Sequence, residues 1–223
     1  MTSAAAGRGT DDIPRDGPQI ALAGRSNVGK SSLINALCRR TIARTSAAPG
    51  KTRLANVYRV TVEGGSGPGR WGVYLIDLPG YGYARGGAES AAELKAVADA
   101  YFADRGSGLG ARGSGRERSG RRTSERSSVN STRPERRHAA LLLIDARHPD
   151  LDADAAAANW LTSLGVEYHV VATKIDKLSR RERTGNLKRL EDTYGPAVLP
   201  VSAASGEGLD HLWTTIATLA RNP

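Results

Sequence analysis

The sequence lacks the residues and segments on which several protein classes depend. It has one cysteine, Cys38, which excludes an intramolecular disulfide, and its four histidines are too scattered for a metal-ligand cluster. No apolar run approaches the roughly 18 residues that span a bilayer. Residues 1–12 contain no apolar stretch of the kind found in signal peptides. These absences predict a soluble cytoplasmic protein that crosses no membrane.

Acidic residues are fewer than basic ones, and the imbalance is concentrated in one segment. The chain has 32 Lys and Arg against 23 Asp and Glu, a net charge of +9, which favours a polyanionic partner. Residues 103–138 hold ten arginines and four acidic residues among many Gly and Ser, with almost no apolar residues. Such a composition cannot offset its ordering entropy, so we expect a disordered insertion. Two interpretations stay open: salt-sensitive contact with RNA phosphates, and a solvated loop without a role.

Short apolar runs alternate with helical patterns along the rest of the chain. The runs predict six strands, at 19–23, 56–62, 71–77, 139–145, 168–174 and 197–202. Helical spacing predicts helices near 30–39, 89–103, 151–164, 179–193 and 207–221. This alternation predicts an α/β fold, a mostly parallel six-stranded sheet with helices on both faces. The second and third runs are too close together for a parallel crossover, so they should form an antiparallel hairpin at one edge.

The segment GRSNVGKSS, residues 24–32, lies between a predicted strand and a predicted helix. Its spacing matches G-x-x-x-x-G-K-[ST], the phosphate-binding loop. Gly24 and Gly29 supply the backbone freedom for N–H groups to surround phosphates at the positive end of a helix. We expect Lys30 to reach the β and γ phosphate oxygens and the Ser31 hydroxyl to ligate Mg²⁺.

Asp77 ends the third predicted strand and opens a D-x-x-G pattern, Asp77–Gly80. The carboxyl ends of parallel strands meet at one edge, so Asp77 should lie beside the phosphate loop and hold Mg²⁺ through water. The Gly80 N–H is then expected to meet the γ phosphate. The alternatives are a capping or salt-bridged aspartate at Asp77 and an ordinary turn at Gly80.

The segment TKIDK, residues 173–177, closes another predicted strand. Guanine carries two donors on one edge, N1–H and the amino group, and a carboxylate can accept both. Asp176 is therefore expected to select GTP over ATP, with the methylene stem of Lys174 lying along the base. Residues 201–203 end the last strand at the same edge and offer N–H groups to guanine O6, unless they form a plain turn.

Six segments of the chain together resemble the EngB (YihA) family of GTPases: GRSNVGKSSLINAL, ARTSAAPGKTRLANVYRV, DLPGYGYA, LLLIDARHPD, TKIDKL and VSAASGEGLDHLW. The resemblance covers about 20–102 and 139–221. It implies a Ras-like fold, Mg²⁺-dependent GTP binding, slow hydrolysis, a role in assembly of the large ribosomal subunit, and a link to cell division and septation. The guanine motif of this class usually starts with Asn, where this chain has Thr173, so guanine selection should depend more on Asp176.

The same resemblance identifies GKTRL, residues 50–54, as the first switch, with Thr52 closing on Mg²⁺ only when the γ phosphate is present. The residues alone indicate no more than a turn.

Two further residues bear on hydrolysis. Tyr81 follows the D-x-x-G glycine, where Ras-type enzymes place a glutamine that orients water, so intrinsic turnover should be slow. The alternative for Tyr81 is a packed aromatic turn. Related GTPases with an asparagine at the place of Asn27 use K⁺ to add positive charge near the phosphates. The alternative for Asn27 is a side chain that satisfies its own loop.

The predicted nucleotide-binding residues come from five segments: Gly24, Arg25, Ser26, Asn27, Val28, Gly29, Lys30, Ser31, Gly50, Lys51, Thr52, Arg53, Leu54, Asp77, Leu78, Pro79, Gly80, Thr173, Lys174, Ile175, Asp176, Val201, Ser202 and Ala203. Within this set the predicted catalytic residues are Lys30, Asn27, Thr52 and Gly80. The predicted Mg²⁺ ligands are Ser31, Thr52 and Asp77, and K⁺ is a candidate second cation.

The leading hypothesis is a monomeric GTPase switch that binds the precursor of the large ribosomal subunit through its rRNA and ribosomal proteins. Its GTPase domain is expected at 19–223, interrupted at 103–138, after a short polar lead at 1–18. The alternatives are an Era-like or TrmE-like GTPase acting on another RNA and a GTP-binding scaffold that does not hydrolyse. An ATP-dependent kinase is disfavoured because Asp176 suits guanine.

Overall fold

A computed structural model describes residues 3–8, 17–43, 55–63, 70–81, 95–102 and 139–221. Two predictions lie outside the described residues, namely the disordered insertion at 103–138 and the first switch at 50–54. Within the described ranges, no helix is long and apolar enough to cross a bilayer.

Strands and helices alternate along the described chain. The strands are β1 (Ser3–Arg8), β2 (Gln19–Gly24), β3 (Asn56–Glu63), β4 (Arg70–Asp77), β5 (Ala139–Asp145), β6 (Glu167–Thr173) and β7 (Leu199–Pro200). The helices are α1 (Lys30–Cys38), α2 (95–102 in its described part), α3 (Asp152–Ser163), α4 (Arg180–Tyr194) and α5 (Leu209–Arg221). A 3₁₀ turn, Ile175–Lys177, follows β6.

The strands form one sheet in the order β1-β3-β4-β2-β5-β6-β7. Strands β4, β2, β5, β6 and β7 are parallel, and β3 pairs with β4 in antiparallel register, which confirms the predicted fold class and antiparallel pair. The predicted position of that pair at the sheet edge is wrong, because β1 lies outside β3. The six predicted strands are all present. The predicted strand at 197–202 is wrong in length: only Leu199–Pro200 are strand. The Val201 N–H still donates to Ala172 of β6 at 2.8 Å, but the chain then turns away, because the Ser202 N–H donates to the carbonyl oxygen of Glu207 at 2.9 Å.

A seventh strand, β1, lies within the segment predicted as a polar lead. It pairs with β3 in antiparallel register, from Ser3 opposite Thr61 to Arg8 opposite Asn56. Its sequence, SAAAGR, lacks the β-branched residues by which strands are recognised. Backbone pairing with an edge strand does not need that signal, so the apolar pattern could not predict β1.

Both faces of the sheet are covered by helices, as the sequence predicts. On one face, β2 residues such as Ile20 and Leu22 pack with Leu33 and Leu37 of α1 and with Leu212 of α5. On the other face, a second cluster joins strands to α2, α3 and α4: Ala21, Ala23, Ile76, Tyr101, Leu161 and Leu190. Burial of a large apolar side chain stabilises by about 1.5–3 kcal/mol, so these two layers fix the sheet. The carboxyl ends of the five parallel strands are thereby brought to one edge.

Candidate functional site

The phosphate loop begins where β2 ends, at Gly24. A Cβ on Gly24 would lie 2.8 Å from the carbonyl oxygen of Leu143 and 2.9 Å from Cγ1 of Val28. No larger residue fits there without a backbone shift, so the close approach of β2, β5 and the loop requires glycine. Residue 29 then caps α1, whose first helical residue is Lys30.

Lys30 is held in the centre of this loop. Its Nζ donates hydrogen bonds to the carbonyl oxygens of Gly24, at 2.8 Å, and Arg25, at 3.3 Å. Burial lowers the pKa of Lys30, and the nearby charge of Asp77 acts in the opposite direction. The ammonium group is therefore fixed between the loop and the end of β4, where Asp77 pairs with Leu22 of β2.

Asp77 is a buried carboxylate with an unused acceptor. Its side chain is 2% exposed, and its Oδ1 has no hydrogen-bond partner among the described residues. Burial raises the pKa of Asp77, and Lys30 and the side chain of Asn56 lower it. A buried oxygen without a partner is costly unless another group satisfies it. Mg²⁺ or a water bound to it is such a group, so Asp77 fits the predicted metal site, as does the half-buried hydroxyl residue Ser31.

The D-x-x-G segment lies directly against the phosphate loop. A Cβ on Gly80 would lie 2.8 Å from the backbone N of Ser26 and 2.9 Å from Nζ of Lys30, so only glycine fits. The Ser26 N–H donates to the carbonyl oxygen of Tyr81 at 2.9 Å, and the Ser26 hydroxyl donates to the carbonyl oxygen of Gly80 at 3.3 Å. Leu78 and Pro79 are buried and connect this contact to β4.

The Tyr81 hydroxyl is engaged by a residue that the sequence analysis missed. It donates a hydrogen bond to Oδ1 of Asp154 at 3.0 Å, and burial and the Asp154 charge raise the pKa of Tyr81. Arg25 of the phosphate loop contacts the same carboxylate, with Nε 3.1 Å from Oδ1. Asp154 belongs to no motif and lies 73 residues from Tyr81 along the chain, so no local pattern could have found it.

Thr173, which stands where this class of GTPases usually has asparagine, contacts the phosphate loop. Its hydroxyl lies 2.8 Å from the carbonyl oxygen of Val28 and 3.1 Å from that of Ile144, and its side chain is buried. These contacts join β6 to the phosphate loop and to β5.

Lys174 has a left-handed backbone, with φ of 60°, and its side chain returns to the loop. Its Nζ donates to the carbonyl oxygen of Asn27 at 2.6 Å and to Oδ2 of Asp145 at 2.9 Å. Burial would raise the pKa of Asp145, but hydrogen bonds from Arg147 and Lys174 outweigh it and hold that pKa well below its usual range. Asp145 and Arg147, which the sequence analysis did not single out, therefore position Lys174.

Asp176 lies beside the segment predicted to contact guanine O6. Its Oδ1 accepts a 2.7 Å hydrogen bond from the Ser202 hydroxyl, and this bond lowers the pKa of Asp176. Ser202 is itself buried, and its Oγ accepts from the backbone N–H groups of Ala204 and Ser205. The carboxylate is thus ionised and oriented. Ile175 and Val201 are buried, and Ala203 is half-buried.

The structure brings four of the five predicted segments to one edge of the sheet, and the fifth, residues 50–54, lies outside the described residues. Asn27 is exposed in the phosphate loop, with φ of 64°, a backbone conformation that asparagine tolerates.

Comparison with known proteins places the chain among GTPases. Residues 19–174 match a protein family described as 50S ribosome-binding GTPase. A probable GTP-binding protein EngB of Syntrophomonas wolfei is 36% identical over 205 residues, which cover 91% of this chain and 86% of that protein. A protein of the same description from Thermotoga maritima is 33% identical over 207 residues, covering 91% and 87%.

Solved structures share the fold at lower identity. Era from Aquifex aeolicus superposes with a TM-score of 0.64 at 20% identity, over 91% of this chain and 56% of that one. A second Era structure, with MgGDPNP and nucleotides 1506–1542 of 16S ribosomal RNA, gives a TM-score of 0.63 at 20% identity, over 91% and 56%. A probable GTP-binding protein engB gives 0.56 at 20% identity, over 92% and 99%.

The fold and these similarities define a P-loop GTPase, which binds GTP and GDP and hydrolyses GTP, and such enzymes generally use Mg²⁺. Within that class, the chain belongs to the EngB family.

Proposed function

We propose that this GTPase is a nucleotide-controlled switch in assembly of the large ribosomal subunit. The observation that carries the proposal is the match of residues 19–174 to a family described as ribosome-binding at the 50S subunit. The related fold of Era, solved with a piece of 16S ribosomal RNA, supports RNA as the kind of partner. The partner in this proposal is the precursor of that subunit, with its rRNA and ribosomal proteins. The switch acts as a monomer in the cytoplasm, and its loss affects cell division and septation.

The phosphates bind in the loop at residues 24–31. Backbone N–H groups at the start of α1 surround the α and β phosphates, and Lys30 shifts from loop carbonyls to the β and γ oxygens. Ser31 and Asp77 hold Mg²⁺, with Thr52 added in the GTP form. When bound, Mg²⁺ supplies positive charge against the phosphate oxygens.

The base binds between the turn at Ile175–Lys177 and residues 201–203. Asp176, already ionised and oriented by Ser202, accepts the two guanine donors. The stem of Lys174 lies along the base while its ammonium holds the loop through the Asn27 carbonyl.

Hydrolysis is slow because the residue after Gly80 cannot orient water. The Tyr81 hydroxyl donates to Asp154, so this phenol is committed elsewhere. The Gly80 N–H meets the γ phosphate, Lys30 stabilises the charge that develops on it, and Asn27 holds K⁺ as a further source of positive charge.

Sedimentation of ribosomal particles tests the proposal. With a non-hydrolysable GTP analogue the protein should travel with large-subunit precursors, and with GDP it should stay at the top of the gradient. Asp176→Ala is the matched control, because it weakens nucleotide binding without altering the surface far from the base. The proposal is overturned if the protein follows small-subunit particles, as an Era-type role requires, or if its distribution ignores the nucleotide.

A further inference from the structure

Asp154 is a completely buried carboxylate in the first turn of α3, at 0% exposure. It contacts two residues from different parts of the nucleotide site. Nε of Arg25 lies 3.1 Å from its Oδ1 and 3.3 Å from its Oδ2, and the Tyr81 hydroxyl donates to Oδ1 at 3.0 Å. Three elements are therefore joined at one side chain: the phosphate loop, the segment after Gly80, and α3.

The two partners of Asp154 are also joined by backbone contacts. Arg25 and Tyr81 form an isolated parallel bridge, and the Ser26 N–H donates to the Tyr81 carbonyl oxygen at 2.9 Å. The side chains and backbone therefore make a closed ring around the point where Gly80 approaches the loop. Rotation of Tyr81 away from the loop would break both the backbone contact and the hydrogen bond to Asp154.

Stability alone does not account for this arrangement. Burial raises the pKa of Asp154, and Arg25 and Tyr81 act to lower it. Desolvation of a buried ion pair commonly cancels most of the attraction between its charges. A well-packed apolar residue at position 154 would therefore stabilise α3 about as much as the ion pair does. What such a residue would not supply is a fixed position for a phosphate-loop residue and for the residue after Gly80.

The helix that carries Asp154 is itself held firmly. Two turns further along α3, the Trp160 Nε1–H donates to Asp99 of α2 at 2.9 Å. The Trp160 ring packs edge-on against the ring of Phe102, with 5.6 Å between the ring centroids. On its inner side, Leu161 is buried in the core between sheet and helices. Asp154 therefore projects from a rigid support, which is what a positioning group needs.

We propose that Asp154 is a positioning residue for GTP hydrolysis. It touches no substrate; it fixes Arg25 and Tyr81, and through them it sets the distance between Gly80 and the loop that binds the phosphates. Small displacements of groups that face the reacting phosphate lower the rate of hydrolysis strongly. Binding of the α and β phosphates depends on other residues, Gly24 and Lys30. Loss of Asp154 should therefore reduce kcat and leave affinity for GDP nearly unchanged.

Three single variants and one double variant test this inference. Asp154→Ala removes the carboxylate, Tyr81→Phe removes only the donor hydroxyl, and Asp154→Asn keeps one acceptor oxygen. Asp152→Ala is the matched control, because Asp152 is an exposed acid in the same first turn of α3. Phosphate release at varied GTP gives kcat and KM, and GDP affinity is measured by calorimetry.

The expected result is a kcat reduced about tenfold in Asp154→Ala, because Gly80 and the phosphate loop lose the fixed spacing that Asp154 maintains. Tyr81→Phe should show part of that loss, Asp154→Asn should lie between Asp154→Ala and the wild type, and Asp152→Ala should match the wild type. The Asp154→Ala, Tyr81→Phe double variant should be no slower than Asp154→Ala, since both changes break one contact.

A kcat within twofold of wild type in Tyr81→Phe and Asp154→Asn would overturn the proposal, whatever happens to their melting temperatures. So would equal losses of kcat and of GDP affinity, because they would indicate a collapsed site. If Asp154→Ala does not fold, the two milder variants decide the question.

Discussion

At the scale of single residues, Asp176 offers the sharpest test of nucleotide choice. Asp176→Ala removes the paired acceptor for guanine, and one charge-assisted hydrogen bond contributes about 1.5–3 kcal/mol. GTP affinity should fall accordingly, and discrimination against ATP should shrink. Calorimetry with both nucleotides checks this, with Lys177→Ala as the control, because Lys177 is an exposed neighbour that only pairs with Asp176 at 3.3 Å. Equal GTP affinity in Asp176→Ala and wild type would end the guanine argument.

Ser31 and Thr52 should differ in their dependence on the nucleotide. Ser31 is predicted to ligate Mg²⁺ with either nucleotide, whereas Thr52 is predicted to contribute only when the γ phosphate is present. Ser31→Ala is therefore expected to weaken both GDP and GTP in the presence of Mg²⁺, and Thr52→Ala mainly GTP. Titration of each variant with the two nucleotides compares them. The first-switch assignment fails if Thr52→Ala weakens GDP as much as GTP.

Asn27 should matter for rate more than for binding. Its backbone carbonyl accepts the Lys174 ammonium, and that contact survives a change of side chain. Asn27→Ala is therefore expected to retain GTP affinity while lowering hydrolysis and losing any stimulation by K⁺ over Na⁺. Initial rates in matched KCl and NaCl measure this. Identical wild-type rates in the two salts would remove K⁺ from the reaction.

At the scale of elements, α4 begins with a feature whose loss can be measured. The Ser179 hydroxyl accepts from the Glu182 N–H at 3.3 Å, and a Glu182 carboxylate oxygen accepts from the Ser179 N–H at 2.8 Å. Ser179→Ala breaks this capping box and should lower the free energy of unfolding by about 1 kcal/mol. Thr184→Ala is the control in the same helix, where the hydroxyl only bonds back to the Arg180 carbonyl oxygen. Urea unfolding of the two variants should separate them, and equal midpoints would contradict the cap's role.

The elements also show what a sequence can reveal. Strands β2 to β6 and the helices could be predicted because their apolar residues repeat with the period of each element. The phosphate-binding residues from Gly24 to Ser31 could be predicted because they form one contiguous motif. Strand β1 could not, since its sequence, SAAAGR, lacks the β-branched residues by which strands are recognised. Asp154 and Asp145 could not either, because Arg25, Tyr81 and Lys174 are distant in the chain and only the fold brings them to these carboxylates. The sequence thus indicated the groups that we propose to meet the nucleotide, and missed those that hold these groups in place.

In the molecule as a whole, the points where residues 103–138 join the described chain lie far from the phosphate loop. Strand β5 begins at Ala139, opposite Ile20 of β2, and runs about 20 Å before it reaches the nucleotide edge at Asp145. On the other side, α2 is joined to the start of β2 by the Tyr101 hydroxyl, 3.3 Å from Gln19 Oε1. Both junctions are therefore at the sheet edge opposite the phosphate loop.

This placement predicts the outcome of replacing residues 103–138 with a short Gly/Ser connection. Folding and GTP binding should be intact, because the two junctions are close together and no nucleotide motif lies between them. Ten arginines can neutralise rRNA phosphates and release counterions, so the deletion should weaken binding to ribosomal particles at low salt. It should also flatten the slope of log affinity against log salt. A control that replaces the arginines with glutamine at full length separates charge from length. An unchanged slope would favour a solvated loop without a role, and lost GTP binding would show that the segment supports the core.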